Sequence, residues 1–236
     1  MGQKKLVRFA EIKTFSNVLQ YPEGMPGAWK DFFKNENPIT LELACGKGEY
    51  AVGLAALYGK RNFIGVDLKG NRLWVGAKKA IQMGLSNVAF LRIQIDGITK
   101  FFASGEVDEI WITFPDPQLR VSKDKKRLTH PKFLRFYQQV LKPGGRIHLK
   151  TDSPVLYDFT KKVIELCRCT LLEDMDNVHA QSHLKPELQI KTHYEALDIA
   201  GSNRVHYLSF TLPQTLPGKE VDIVLHNLLK ENAGIS

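Results

Sequence analysis

The chain has 236 residues, 43% of them hydrophobic and 25% charged, with a formal net charge of +8. Those values describe a soluble globular domain of the larger kind with a full core, and they exclude a membrane span, because every apolar run is strand-sized. Three cysteines without CxxC spacing, Cys45, Cys167 and Cys169, support neither a disulfide framework nor a zinc site, and no other cluster has metal-ligand spacing.

Residues 1–37 read as a partly mobile N-terminal extension carrying a basic cluster of Lys4, Lys5 and Arg8. It lacks the apolar core of a signal peptide, and Leu6 stands where a myristoylation signal needs Ser or Thr, so the expected location is the cytoplasm. Residues 38–236 read as one domain. Five strand-like runs, Ile39–Ala44, Asn62–Val66, Val88–Ile95, Val107–Phe114 and Arg146–Lys150, alternate with helical patterns at Glu49–Leu57, Asn71–Met83 and Pro131–Leu141. That alternation predicts βαβ units and an α/β fold with a parallel sheet. Pro143-Gly144-Gly145 is expected to end the third helix, and Ser153-Pro154 to cap a further helix running to Leu166. Thr170–Asp174 and Val205–Thr211 then predict an antiparallel hairpin at the sheet edge, making seven strands. An amphipathic helix follows at Val221, Val224, Leu225, Leu228 and Leu229.

The first strand runs into Glu42-Leu43-Ala44-Cys45-Gly46-Lys47-Gly48-Glu49, and the second ends in Asp67. Strand, glycine loop, helix and a second-strand carboxylate form the arrangement by which doubly wound folds hold an adenosine, the carboxylate accepting from ribose hydroxyls. Glu42 is ill placed beside a pyrophosphate and well placed beside an ammonium group, which favours S-adenosylmethionine over a dinucleotide. Asp96, at the end of the third strand, can accept from the adenine amino group or cap the next short helix; Asp152, after the fifth strand, carries the same ambiguity. With Asp67 and Asp116 they predict an acidic cleft at the carboxyl edge of the sheet.

The fourth strand ends in Phe114-Pro115-Asp116-Pro117, where two prolines restrict the backbone that aims the Asp116 side chain. Arg120, Lys123, Lys125, Lys126 and Arg127 follow directly, a run placed to contact phosphates. Trp74 and Trp111, in helix and strand settings, read as core residues rather than stacking platforms.

These motifs, together with Lys150-Thr151-Asp152 and Thr192-His193-Tyr194-Glu195, resemble the bacterial tRNA (guanine-N7-)-methyltransferases from about Ile39 to Phe210. The resemblance implies a Rossmann-like class I methyltransferase fold, with S-adenosylmethionine held by Glu42, Gly46, Gly48, Asp67 and Asp96, and Asp116 as the active-site residue. It also implies that Asp152 and Thr192, His193, Tyr194 and Glu195 contact the substrate nucleoside. Arg120 stands where the family usually has a substrate-binding lysine, and Gln118 where it often has tryptophan. The implied partner is tRNA, bound by a monomer or homodimer, with a guanosine of the variable loop as target. Guanine N7 offers a lone pair and carries no proton, so the reaction needs alignment rather than a base, and Asp116 is expected to hold the guanine N1 and N2 hydrogens. The alternatives are a same-fold enzyme with a small-molecule or protein acceptor, a non-catalytic RNA-binding module, and an NAD-type oxidoreductase, which Glu42 disfavours.

Overall fold

The computed structural model describes residues 2–193, 195–197, 201 and 204–234. Its centre is an eight-stranded sheet built from β1 (Val18–Gln20), β2 (Ile39–Leu43), β3 (Asn62–Asp67), β4 (Val88–Arg92), β5 (Val107–Thr113), β6 (Leu141–Thr151), β7 (Thr170–Met175) and β8 (His206–Thr211). Every residue of β2 and β3 is buried, as continuous apolar strands covered on both faces must be. The strand order is β1-β4-β3-β2-β5-β6-β8-β7. Neighbours pair in parallel from β1 to β6, while β8 runs antiparallel to both β6 and β7. The seven expected strands and the closing antiparallel hairpin are therefore present, and an eighth strand joins them.

That extra strand comes from the segment read as an extension. Val18–Gln20 pairs with Phe90–Arg92, and its three residues are only half-buried, so it carries no apolar run by which to recognise it. The extension also forms helices α1 (Gly2–Glu11) and α2 (Trp29–Phe33). The side chains of residues 2–5, Lys4 and Lys5 among them, lie outside the description. Arg8 sits over the Trp74 ring at 4.6 Å.

Helices α3 (Glu49–Leu57) and α4 (Gly70–Gln82) cover one face with α1, while α5 (Pro131–Val140), α6 (Pro154–Leu166) and α7 (Glu220–Asn232) cover the other with α2. Ser153 caps α6, accepting from the Leu156 N–H at 3.3 Å. Boundaries differ in two places: the third expected strand, β4, stops at Arg92 rather than Ile95, and α5 ends at Val140, with Leu141 to Gly145 already in β6 and a register shift against β5 between Val107 and Glu109. The bulge lets the strand start early despite Pro143, which bulges tolerate. Cys45 and Cys167 are buried free thiols, and Trp111 is buried and stacked on His148 at 4.0 Å. Among the described residues no helix is long and apolar enough to cross a membrane, and no His, Cys and carboxylate cluster could hold a metal.

Candidate active site

In a sheet of this order the chain leaves β2 towards β3 and β4, then returns to β5 on the other side. The crevice lies above the carboxyl ends of β2 and β5, where ligands of open α/β sheets bind. Two adjoining cavities occupy it. One, of about 520 Å³, is lined by Glu42, Gly46, Asp67, Asp116, Asp152 and Thr192, among others. The second, of about 510 Å³, shares Ala44 and Asp67 with the first and extends to Asp96, Lys125, Lys126 and Lys132.

The loop after β2 is shaped by its glycines. Gly48 has φ +67, and a Cβ added to it would overlap the Phe90 ring, so both conformation and space require glycine. Gly76, on α4, presses against the Lys47 carbonyl and Phe90 from below; nothing in the local pattern marks that close approach. Asp67 is tied down by two backbone donors, the Gly46 N–H at 2.9 Å and the Lys69 N–H at 2.8 Å, and still lines both cavities. Glu42 is buried, accepting from the Ala51 N–H at 2.8 Å and the Thr113 hydroxyl at 2.9 Å. Burial pushes its carboxyl up to about 8 against those two hydrogen bonds. A buried carboxylate with no cation beside it is in a poor state; a ligand ammonium would correct it.

Phe114 leaves β5 with φ 46, and Gln118 has φ 47. Both angles are costly for residues with side chains, and Phe114 also precedes a proline, which disfavours helical conformations. The turn is held from several sides. The Phe114 N–H donates to the Lys150 carbonyl at 2.8 Å, and the Gln118 N–H donates to Asp116 Oδ1 at 3.0 Å. Asp116 itself is exposed on the cavity wall.

The basic run divides. Arg120, Lys123, Lys125 and Lys126 are exposed, and Arg120 heads the 3-10 turn Val121–Lys126. Arg127 corrects the expectation of phosphate contact: it is 2% exposed and donates to the Pro117 and Gln118 carbonyls. A run of like charge looks uniform in sequence, but a 3-10 turn sends its members to different sides.

Asp96 lies past the end of β4, in the turn Ile95–Lys100. It does not cap that turn, and it pairs with Lys132. Asp152 lines the first cavity, while the capping role beside it belongs to Ser153. Thr192 is buried on the wall of the same cavity and accepts from the Glu195 N–H at 3.1 Å. His193 is exposed, and Tyr194 lies outside the described residues. Glu195 faces away from the first cavity, pairing with Lys150 at 2.9 Å and with His179 at 3.4 Å. Lys150, with no exposed side-chain surface, also donates to the carbonyls of Leu188 and Ile190 at 3.0 Å each. In the sequence Lys150 stands only as part of the Lys150-Thr151-Asp152 motif, with no role assigned to it; its signal is a charge within the buried stretch 147–151 of β6.

The sequence model of a family described as "Putative methyltransferase" matches residues 36–207. The tRNA (guanine-N(7)-)-methyltransferase of Porphyromonas gingivalis is 49% identical over 85% of this chain and 86% of its own length. That of Christiangramia forsetii is 43% identical over 90% of this chain and 100% of its own. Among solved structures, the 16S rRNA methyltransferase KamB superposes with a TM-score of 0.60 at 16% identity, covering 79% of this chain and 93% of that one. TrmN from Thermus thermophilus gives 0.51 at 20% identity, over 89% of this chain and 49% of that one. At those identities the two structures speak for the fold alone.

Proposed function

The chain belongs to the tRNA (guanine-N7-)-methyltransferase family, and from that premise we propose that it methylates N7 of a guanosine in the variable loop of tRNA. It is an S-adenosylmethionine-dependent enzyme acting in tRNA modification, and the reading places it in the cytoplasm, as a monomer or homodimer. Residues 38–236 are taken as the methyltransferase domain and 1–37 as its N-terminal extension. The observation that carries the reading is one crevice in which Glu42 and Asp67 lie together with Asp116, Asp152 and Thr192.

The residues fit the methyl donor. Glu42 lacks a cation and would receive the ammonium group, Asp67 is oriented by two backbone donors towards ribose hydroxyls, and Gly46 and Gly48 allow close approach. Asp96 retains carboxylate lone pairs beyond Lys132 for the adenine amino group. When bound, S-adenosylmethionine supplies an electrophilic methyl carbon on a cationic sulfur. The chain's own residues then have to align the base. Asp116 accepts the N1 and N2 hydrogens of guanine, which directs N7 and favours the positive charge that the ring acquires. No side chain needs to remove a proton from N7. Asp152, Thr192, His193 and Tyr194 border the nucleoside, while Glu195 acts on it by holding their segment to Lys150. Arg120, Lys123, Lys125 and Lys126 meet the phosphates, and the exposed bases of a loop are what proteins read in RNA.

The test is methyl transfer from labelled S-adenosylmethionine to tRNA, with nucleoside analysis of the product. Labelled 7-methylguanosine is expected; cofactor binding without labelled tRNA would point to a different acceptor. In the same assay Asp116→Ala should lose at least about 100-fold in kcat while cofactor affinity stays nearly unchanged. A large loss of cofactor binding would remove Asp116 from the base-holding role.

A further inference from the structure

Arg127 is an anomaly within its basic run. Its guanidinium is buried, with Nε 3.1 Å from the Pro117 carbonyl and 3.2 Å from that of Gln118, and Nη2 3.1 Å from the Gln118 carbonyl. Its Cζ lies 4.4 Å from the centroid of the Phe159 ring, and Nη1 is buried with no hydrogen-bond partner among the described residues. Burying a guanidinium in this way is costly, and an apolar side chain would pack on Phe159 at lower cost. What a guanidinium alone provides is a planar fork that can hold two adjacent carbonyls. Those carbonyls belong to the two residues after Asp116, where Gln118 is kept at φ 47.

The turn carrying Arg127 is fixed in its own right. The Arg127 N–H donates to the Asp124 carbonyl at 2.9 Å, and the Asp124 carboxylate, buried, receives the Lys125 N–H at 2.6 Å and lies 2.8 Å from His226 Nδ1 on α7. Helix α7 is in turn joined to α5 by Arg135 and Asp222 at 2.6 Å. A continuous set of contacts thus runs from the C-terminal helix to the backbone beside Asp116.

We propose that Arg127 is a positioning residue for Asp116, clamping the Pro-Asp-Pro turn from beneath, and that the His226–Asp124 contact holds the clamp in place. The inference rests on the proposed function for its kinetic consequence but not for its structural one, so two readouts are needed. In tRNA methylation, Arg127→Met should lower kcat by about 10- to 100-fold, Arg127→Lys by less, and His226→Ala by about fivefold, as expected for small misplacements. KM for tRNA and cofactor affinity should stay within about twofold. Hydrogen exchange of the peptide covering residues 114–120 should speed up by about tenfold in each variant, as local opening becomes easier. A raised KM with a shallower salt dependence and unchanged kcat would make Arg127 an RNA contact and overturn the proposal. So would unaltered exchange at 114–120, even if the melting temperature falls. If Arg127→Met does not fold, Arg127→Lys and His226→Ala carry the test; unchanged kcat and exchange in His226→Ala would remove α7 from the clamp. Should the wild-type protein label no tRNA, the functional reading fails while the exchange measurement still decides the clamp.

Discussion

At Glu42 a carboxyl group sits fully inside the protein, bonded to one backbone amide and one hydroxyl. Because burial raises its pKa to about 8, the folded protein holds a proton there that the unfolded chain has lost above about pH 4.5. The stability this group contributes is complete below the unfolded value and is lost as pH rises towards 8. Without cofactor, Glu42→Gln should therefore melt at a higher temperature than wild type near pH 8.5. The difference should shrink towards pH 4.5, and cofactor binding should be lost throughout. Thermal scans across that range check the sign; a variant less stable than wild type at high pH would mean the carboxylate is already stabilised. For the wild type, binding of a cationic ligand below pH 8 should release up to about one proton, which calorimetry in buffers of different ionisation enthalpy can count.

Two elements carry the site, both on the face of the sheet that α3 covers. The loop between β2 and α3 depends on Gly48, whose Cβ position is taken by Phe90. Gly48→Ala should cost about 2 kcal/mol or more in urea unfolding, from the positive φ and the overlap together, and weaken cofactor binding. The segment from Val178 to Leu197 depends on Lys150, whose ammonium closes on two carbonyls and Glu195. Burial draws the pKa of this lysine down and Glu195 opposes that shift. Lys150→Met would leave the Glu195 charge buried with only His179 beside it, a loss of about 3 kcal/mol, and limited proteolysis should then cut between 178 and 197 first. The positions of α3, α4, α5 and α6 were legible in the chain because apolar periodicity and caps such as Ser153 are local signals. The strand β1 was not, because three half-buried residues at an edge owe their structure to pairing with β4.

For the whole molecule the relevant quantity is where the net charge of +8 is displayed. Lys125 and Lys126 stand at the mouth of the second cavity, beside the residues assigned to the adenosine. A double change to alanine should weaken tRNA binding and reduce the slope of log affinity against log salt by about 1.5–2, with cofactor affinity unchanged in the absence of RNA. Fluorescence anisotropy at several salt concentrations measures both. An unaltered slope would move the RNA path away from this turn. Lysines of the basic turn and the carboxylates Asp67 and Asp96 line the same second cavity, so a polyanion can be drawn to the basic turn while the carboxylates stay with the cofactor and the base.

The position of the candidate crevice was readable in advance. Glu42, Gly46, Asp67, Asp116 and Asp152 all line the first cavity at or just past strand ends, because strands and glycine or proline turns are written in short stretches of sequence. Local chemistry could not say which member of a basic run is buried, that Asp96 pairs with Lys132, or that Glu195 pairs with Lys150 and turns from the first cavity. Each of those outcomes depends on residues distant in the chain meeting in space. Burial and a partner, supplied only by the packed fold, decide whether a charge faces a ligand or supports the backbone that does.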